Sequence, residues 1–230
     1  MASNRYQTRH QAAQPLAGHR HRQAYLALVD AGTYVEHSVD GTYRCEPGMA
    51  IVHPTWHLHS NRFFDSRIRV TNVDLAAASA YGVFRLSDVC YKKASEIGDP
   101  SVLLEHVLAE GRAVSAEEGP APVQAMIEML RHNPCQRIDE MARSMRLSPE
   151  HATRQFRRFT GMTPAAFRSE QRLRKALHDL RSGWRSLDVA HRWGYADQSH
   201  LCRAIKGATT RTITELQTSD LFNTDTIDHR

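Results

Sequence analysis

The sequence predicts a multidomain protein: an all-β unit with flanking helices, followed by an all-α unit. Three observations lead there. Residues 18–75 break into short β-prone segments separated by turn residues, among them Asp40-Gly41 and Pro47-Gly48. From Val123 onward the apolar residues recur at helical spacing. Between them, residues 111–121 (GRAVSAEEGPA) have the Gly, Pro, Ser and charge content of a linker.

The elements follow in order. Residues 1–17 are polar and Gln-rich without periodicity, which predicts an N-terminal arm. Tyr25 to Val29 reads as a strand that ends before Gly32. Thr33 to Val39 and Thr42 to Glu46 flank the Asp40-Gly41 turn. Met49 to His53 follows, and Ile68, Val70, Val73 and Leu75 mark another strand. Strands this short and evenly punctuated predict a small sandwich or barrel over 18–75. Residues 76–110 read as helical, from Ala76-Ala77-Ala78 to Val107-Leu108, and are the natural place for dimer contacts. Residues 122–217 form the helical unit and 218–230 a tail.

Composition narrows the class. The 230 residues suffice for one or two cores, and 41% apolar with 24% charged residues is ordinary for a globular chain. No apolar run nears the ~18 residues that cross a bilayer. The start, MASNRYQTRHQ, lacks the apolar core of a signal peptide, so the reading is a cytoplasmic protein without membrane contact. Cys45, Cys90, Cys135 and Cys202 lie far apart, which suits a reducing compartment. No Walker loop, GxGxxG or Ser/His/Asp order supports a common enzyme class.

Charge separates the halves. Residues 1–121 carry 12 basic and 13 acidic side chains, a net −1. Residues 122–217 carry 17 and 9, a net +8. Residues 218–230 carry 1 and 3, a net −2, and the three add to the chain's +5. Fifteen of the 17 basic residues are arginines. The guanidinium fork suits phosphates and guanine edges, so the segment suits a polyanion.

The basic half holds an internal repeat. Ile138, Met141, Ala142 and Met145 share one helical face. Ser148-Pro149-Glu150 then starts a second helix, with a capping serine, proline at the first helical position and an acid in the first turn. That helix turns Ala152, Phe156 and Phe159 inward and carries Arg154, Arg157 and Arg158 on its other faces. Two short helices with a tight break form a helix-turn-helix pattern. About 48 residues later it recurs. Val189-Ala190 matches Met141-Ala142, and Trp193-Gly194-Tyr195 matches Met145-Arg146-Leu147. After one inserted residue, Leu201, Arg203 and Ile205 match Ala152, Arg154 and Phe156. Gly194 supplies a positive φ at no steric cost, whereas Arg146 does not, which predicts a differently shaped first turn. Phe156, Phe159, Leu173, Leu177, Trp193 and Leu201 are read as core. A helix from Pro164 to Leu180 joins the copies.

Two segments, FRRFTGMTPAAFRSEQRLRKAL and SLDVAHRWGYADQSHLCRAIK, resemble the double helix-turn-helix domain of AraC/XylS-type transcriptional regulators over 122–217. The resemblance implies double-stranded promoter DNA as partner, RNA polymerase nearby, and a homodimer. It makes Glu150, Thr153, Arg154, Gln198, Ser199 and Arg203 the base-reading candidates. Arg154 and Arg203 suit guanine, Gln198 adenine and Glu150 cytosine. Arg157, Arg158 and Lys206, a turn further on, suit phosphates. The chain departs from the family at Thr210-Arg211-Thr212-Ile213, where Gly-x-Thr/Ser-Pro is usual. That leaves open the last helix and whether the second copy reads bases.

The first half carries histidines in a second pattern. Gly18-His19-Arg20-His21 leads to Tyr25, and Gly48, five residues on, leads to Pro54-Thr55-Trp56-His57-Leu58-His59. This resembles the two motifs of cupin barrels, so the β unit is identified as cupin-like, and His19, His21 and His59 fall on its metal-ligand positions. An HxH pair on a strand points both imidazoles to one face, and three imidazoles suit a divalent zinc, iron, nickel or manganese ion. Tyr25 stands where the family has an acid and Trp56 where it has glycine. The same histidines equally suit a metal-free effector pocket that includes Tyr25 and His57, or a satisfied barrel core. No motif claims His37 or His53, and both are read as structural. The leading reading is a regulator that senses a small molecule or ion in the barrel. The alternative is a metal-dependent cupin enzyme with an accessory DNA-binding domain.

Overall fold

The computed structural model describes residues 4–11, 15–64 and 67–218. The chain divides into two compact units, residues 1–117 and 118–230. The first is β-rich and the second helical, the fold class expected. The expected tail lies outside the described residues apart from Thr218.

The first unit has two antiparallel sheets. Strands β1 (Arg5–His10), β3 (Tyr25–Ala31), β6 (Met49–His53), β8 (Ile68–Asp74), β9 (Gly82–Arg85) and β10 (Arg112–Ala113) form one, in the order β1-β8-β3-β6-β9-β10. Strands β2 (Leu16–His19), β4 (Tyr34–Ser38), β5 (Thr42–Cys45) and β7 (His59–Phe63) form the other, in the order β2-β7-β4-β5. Helices α1 (Asp88–Glu96) and α2 (Pro100–Glu110) are capped by Ser87 and Asp99. Period-2 alternation on β3 builds both cores. Tyr25, Ala27 and Val29 join Tyr34, Cys45 and Phe63 of the second sheet. Leu26 and Leu28 face the other way and join Ala94, Leu103 and Val107 of the helices. Both faces of β3 are therefore covered, which is why Tyr25 to Val29 reads as an unbroken apolar run.

Three sequence expectations differ here. Arg5–His10 pairs with β8 from Arg5↔Val73 to His10↔Ile68, so the stretch expected as an arm supplies an edge strand. Leu16–His19 pairs with β7. Both lack an apolar pattern because their side chains are mostly exposed. Residues 76–87 hold bends and β9 where helix was expected. The first part of the expected linker belongs to the β unit: β10 pairs with β9, and Glu117 N–H donates to Thr42 O at 2.8 Å. The Asp40-Gly41 hairpin forms, with Ser38 N–H donating to Gly41 O at 2.9 Å. Gly41 is needed for close approach, since a Cβ there would stand 2.5 Å from Ala116 Cβ.

The second unit comprises α3 (Ala121–His132), α4 (Ile138–Ser144), α5 (Pro149–Thr160), α6 (Pro164–Arg181), α7 (Ser186–Arg192), α8 (Gln198–Thr209) and α9 (Ile213–Gln217). Its buried residues include Met126, Leu130, Met141, Phe156, Phe167, Leu180, Leu201 and Ile205. Among the described residues, no helix is long and apolar enough to cross a membrane.

Candidate functional site

The repeat read from sequence is a structural repeat. Helices α4 and α5 form the first copy, α7 and α8 the second. In both turns a backbone N–H reaches back to the alanine five residues before it: Leu147 to Ala142 O at 3.0 Å and Tyr195 to Ala190 O at 2.9 Å. The residue before each is left-handed, Arg146 at φ 56 and Gly194 at φ 67. The first turn therefore has the same shape as the second, contrary to expectation. An arginine holds a conformation that costs a non-glycine residue about 1–2 kcal/mol.

The ends of the copies also correspond. Helix α5 stops at left-handed Gly161 and α8 at left-handed Thr210. Thr160 Oγ1 donates to Phe156 O at 2.8 Å, and Thr209 Oγ1 to Ile205 O at 2.8 Å. Thr163 caps α6, and Thr212 caps α9 in a capping box with Glu215. The unusual Thr210-Arg211-Thr212-Ile213 thus builds the last helix in the usual place. Threonine hydroxyls supply the cap, and only the left-handed glycine and the first-turn proline are missing.

Helix α6 locks the second copy. It has 18 residues, about 27 Å at 1.5 Å per residue. Arg172 donates to the carbonyls of Trp193 and Gly194 in the α7–α8 turn, and its guanidinium lies 4.6 Å from the Tyr195 ring centre. Trp193 Nε1–H donates to Asp179 Oδ2 at 2.8 Å. Arg168 donates to Gln136 O, just before α4. Sequence reasoning read Trp193 as core and gave Arg168, Arg172 and Asp179 no role. In the structure they position the two motifs.

The base-reading candidates emerge on the two second helices. Glu150, Arg154, Gln198, Ser199 and Arg203 are exposed, and Thr153 is half-buried. Arg157, Arg158 and Lys206 are exposed too. Arg154 bonds His151 Nδ1 at 3.1 Å, and Gln198 donates to Ser186 Oγ at 2.8 Å. Elsewhere in the unit Arg131, Arg137, Arg143 and Arg192 pair with acids. Among the described residues, Arg157, Arg158 and Arg203 form no salt bridge. Helices α5 and α8 therefore present arginines that no acid pairs with among the described residues. Of the residues read as core, Phe156, Leu173 and Leu201 are buried, while Phe159, Leu177 and Trp193 are half-buried.

The β unit holds a histidine pocket between its sheets. A cavity of about 90 Å³ is lined by His19, His21, Tyr25, Glu36, His53 and His59, among others. His57 is absent from that lining; it is 5% exposed, pairs with Asp40 and stacks on Tyr81 at 4.4 Å. One ring nitrogen each from His19, His21 and His59 lie within 4.8 Å of one another. The two resembled motifs do meet, although His19 on β2 and His59 on β7 lie 40 residues apart; His21 follows β2 instead of sharing the strand as expected. Tyr25 Oη is 3.0 Å from His59 Nε2. Burial, with the Glu36 carboxylate beside it, pushes the Tyr25 phenol well above its ordinary pKa. Tyr25 is therefore a neutral partner of His59, and the donor set fits a cation through three imidazoles.

Glu36, which sequence reasoning missed, organises the pocket floor. It is 1% exposed and accepts from Tyr81 Oη at 2.9 Å, and it pairs with His53 Nε2 at 3.0 Å. Burial works against its carboxylate, but the His53, His59 and His57 imidazoles outweigh it, so Glu36 lies well below the usual carboxylate range. Burial pushes His59 down to about 2, helped by His53 and His19 and opposed by Glu36. Burial with His19 and His53 takes His21 to about 4. Both imidazoles are neutral near pH 7, the form that ligates metals.

Comparison with known proteins fits the helical half. Residues 141–219 match the family model of a helix-turn-helix domain, from within α4 to just past α9. These residues are an AraC-type helix-turn-helix domain. No curated protein sequence matches the chain. Among solved structures, ToxT from Vibrio cholerae O395 aligns over 95% of this chain and 99% of its own, at 9% identity and TM-score 0.42. The C-terminal domain of AraT, a response regulator from Geobacillus stearothermophilus, aligns over 50% of this chain and 97% of its own, at 18% identity and TM-score 0.44. A transcriptional regulator with an AraC-type DNA-binding domain from Chromobacterium violaceum aligns over 42% and 88%, at 17% identity and TM-score 0.39. At TM-scores under 0.5, none of these likenesses fixes a ligand or partner for this chain.

Proposed function

We propose that the chain is a cytoplasmic transcription regulator. Its helical unit binds double-stranded promoter DNA through α5 and α8, and its β unit takes an effector in the histidine pocket. One observation carries the reading. Within an AraC-type domain, two matching helix pairs present exposed arginines on the same helix of each pair, Arg154, Arg157 and Arg158 against Arg203, with no salt bridge to them among the described residues. Helix α6 sets the copies apart by a length that, with their own widths, approaches the ~34 Å of one DNA turn. Arg154 and Arg203 would fork onto guanines, with Glu150, Thr153, Gln198 and Ser199 as further base readers. Arg157, Arg158 and Lys206 would meet phosphates.

Arg154→Ala and Arg203→Ala are each expected to cost about 1–3 kcal/mol on a specific site and to relax base choice at one position. Arg157→Ala is expected to weaken all sequences alike. Band-shift titrations on matched and mismatched duplexes measure both. A neutral Arg203→Ala would mean that the regular second copy holds DNA without reading it.

Small-molecule sites usually run to about 300–1,000 Å³. A cavity of about 90 Å³ suits an ion or a ligand of a few heavy atoms. His19, His21 and His59 are positioned to hold a divalent cation, with Tyr25 as outer partner. Effector binding would shift the balance between two arrangements of the protein. His59→Ala is expected to fix reporter transcription at one extreme, while fragment 120–217 still binds DNA. Normal induction by His59→Ala and His21→Ala would move the sensing site elsewhere. Val89, Val102 and Leu108 on α1 and α2 are exposed, and a homodimer would cover them. RNA polymerase is the partner that such a promoter complex would engage. No observation favours the cupin-enzyme alternative over this reading.

A further inference from the structure

We propose that His53, His57 and His59 form a second, buried site for a divalent cation, distinct from the His19–His21–His59 set. The inference stands apart from the DNA reading and shares only His59 with the proposed sensing set. No cupin-like motif covers His53 or His57 in these roles.

The three residues are 1%, 5% and 1% exposed, and one ring nitrogen of each lies within 4.8 Å of the others. The orientation of two rings is fixed by carboxylates. His53 Nε2 lies 3.0 Å from Glu36 Oε1, and His57 Nε2 lies 2.8 Å from Asp40 Oδ2. An ionised carboxylate only accepts, so each Nε2 carries the proton, and in the neutral ring each Nδ1 then carries a lone pair. Both Nδ1 atoms are buried and, among the described residues, have no hydrogen-bond partner. One such atom costs about 1–3 kcal/mol, and two in one cluster call for a shared cause.

A cation satisfies that pattern. Metal-bound histidines characteristically donate their other N–H to a carboxylate, which fixes the tautomer and raises ligand basicity. Glu36–His53 and Asp40–His57 are two such pairs. Three imidazoles around a tetrahedral ion at 2.0–2.1 Å stand about 3.3 Å apart, inside the 4.8 Å within which one nitrogen of each ring lies here. A single water donating to the two Nδ1 atoms would leave His59 with its present partners, whereas a cation also engages His59. His59 contributes by releasing one of its two present partners, the 3.3 Å contact to His57 O being the weaker. An all-nitrogen set selects zinc, cobalt or nickel over magnesium or calcium. Because both sets draw on His59, an ion in the buried set leaves the outer one with two imidazoles.

Zinc alone, titrated into chelator-treated full-length protein against a chromophoric competitor, tests this. The His19→Ala/His21→Ala variant removes two half-buried ligands of the outer set and is expected to keep one zinc per chain. Adding Asp40→Asn should weaken that zinc about 10–100-fold, and adding His57→Gln should abolish it. No zinc in a folded double variant, or equal zinc with and without His57, overturns the proposal. Should the double variant not fold, the His19→Ala single variant serves as background. His57→Gln made on a His19→Ala background, where the outer set is already broken, is expected to bind zinc at least 10-fold more weakly than His19→Ala alone, and equal affinity overturns the site.

Discussion

Replacing Phe156 with alanine is expected to destabilise the helical unit by about 3–5 kcal/mol. Phe156 is fully buried on α5, and its ring meets Phe167 of α6 edge-to-face at 5.4 Å. The loss combines the transfer of a large apolar side chain with the cavity left where α5 rests on α6. Domains are stable by only about 5–15 kcal/mol, so most of the unit's margin would go. DNA binding should fall with it, although Phe156 faces no DNA. Denaturant unfolding followed by helical circular dichroism reads the effect. Arg157→Ala, exposed one residue along, is the control and should stay within about 0.5 kcal/mol of wild type. A Phe156→Ala protein as stable as wild type would contradict the packing that sets α5 against α6.

Removing Glu36 should have a comparable effect on the β unit. Glu36→Ala would strand the His53 ring and the Tyr81 hydroxyl in the interior. Breaking a buried, hydrogen-bonded charge cluster by deleting one partner costs about 3–5 kcal/mol. Glu36→Gln keeps the volume and one acceptor, so it should cost less. The two also differ from wild type in acid. The Glu36 carboxyl is held below its ordinary 4.5 in the fold. Its stabilisation is therefore fully present above that value and is lost as pH falls toward the folded pKa. Unfolding midpoints of the metal-free protein should fall more steeply below pH 4.5 in wild type than in Glu36→Gln. Parallel profiles would mean that the carboxylate is not what the histidines stabilise.

Much of this was legible in the sequence where one pattern had one structural meaning. Tyr25 to Val29 and Met49 to His53 are apolar runs bounded by turns, and both became buried strands. Ser148-Pro149-Glu150 announced the start of α5, and Ser148 caps it by accepting from His151 N–H. Edge strands gave no such signal. RYQTRH at 5–10 buries little, so its pairing with β8 depends on backbone bonds that no side-chain pattern advertises.

The misses at the sites have a common cause. Sequence spacing finds residues that a motif groups, but not partners brought in from other strands. Glu36 faces inward with Tyr34 and Ser38 on β4, and its period-2 spacing from Tyr34 was the available signal. His53, taken as structural, lies 17 residues from Glu36 in sequence and 3.0 Å away in space. Arg146 and Thr210 look wrong for left-handed positions that glycine usually fills, yet the surrounding bonds hold both there. Arg172 reads as one more basic residue until its guanidinium is seen on the α7–α8 turn.

On the proposed function, α5 and α8 are expected to sit in successive major grooves of one DNA face. Selection of bound duplexes from a random pool, followed by salt titration of the winner, tests it most directly. Two shared half-sites centred about 10–10.5 base pairs apart are expected. With about 6–8 phosphates neutralised, the log–log salt slope should be about −5 to −7. Selected duplexes with no common sequence, bound with a flat salt dependence, would contradict it.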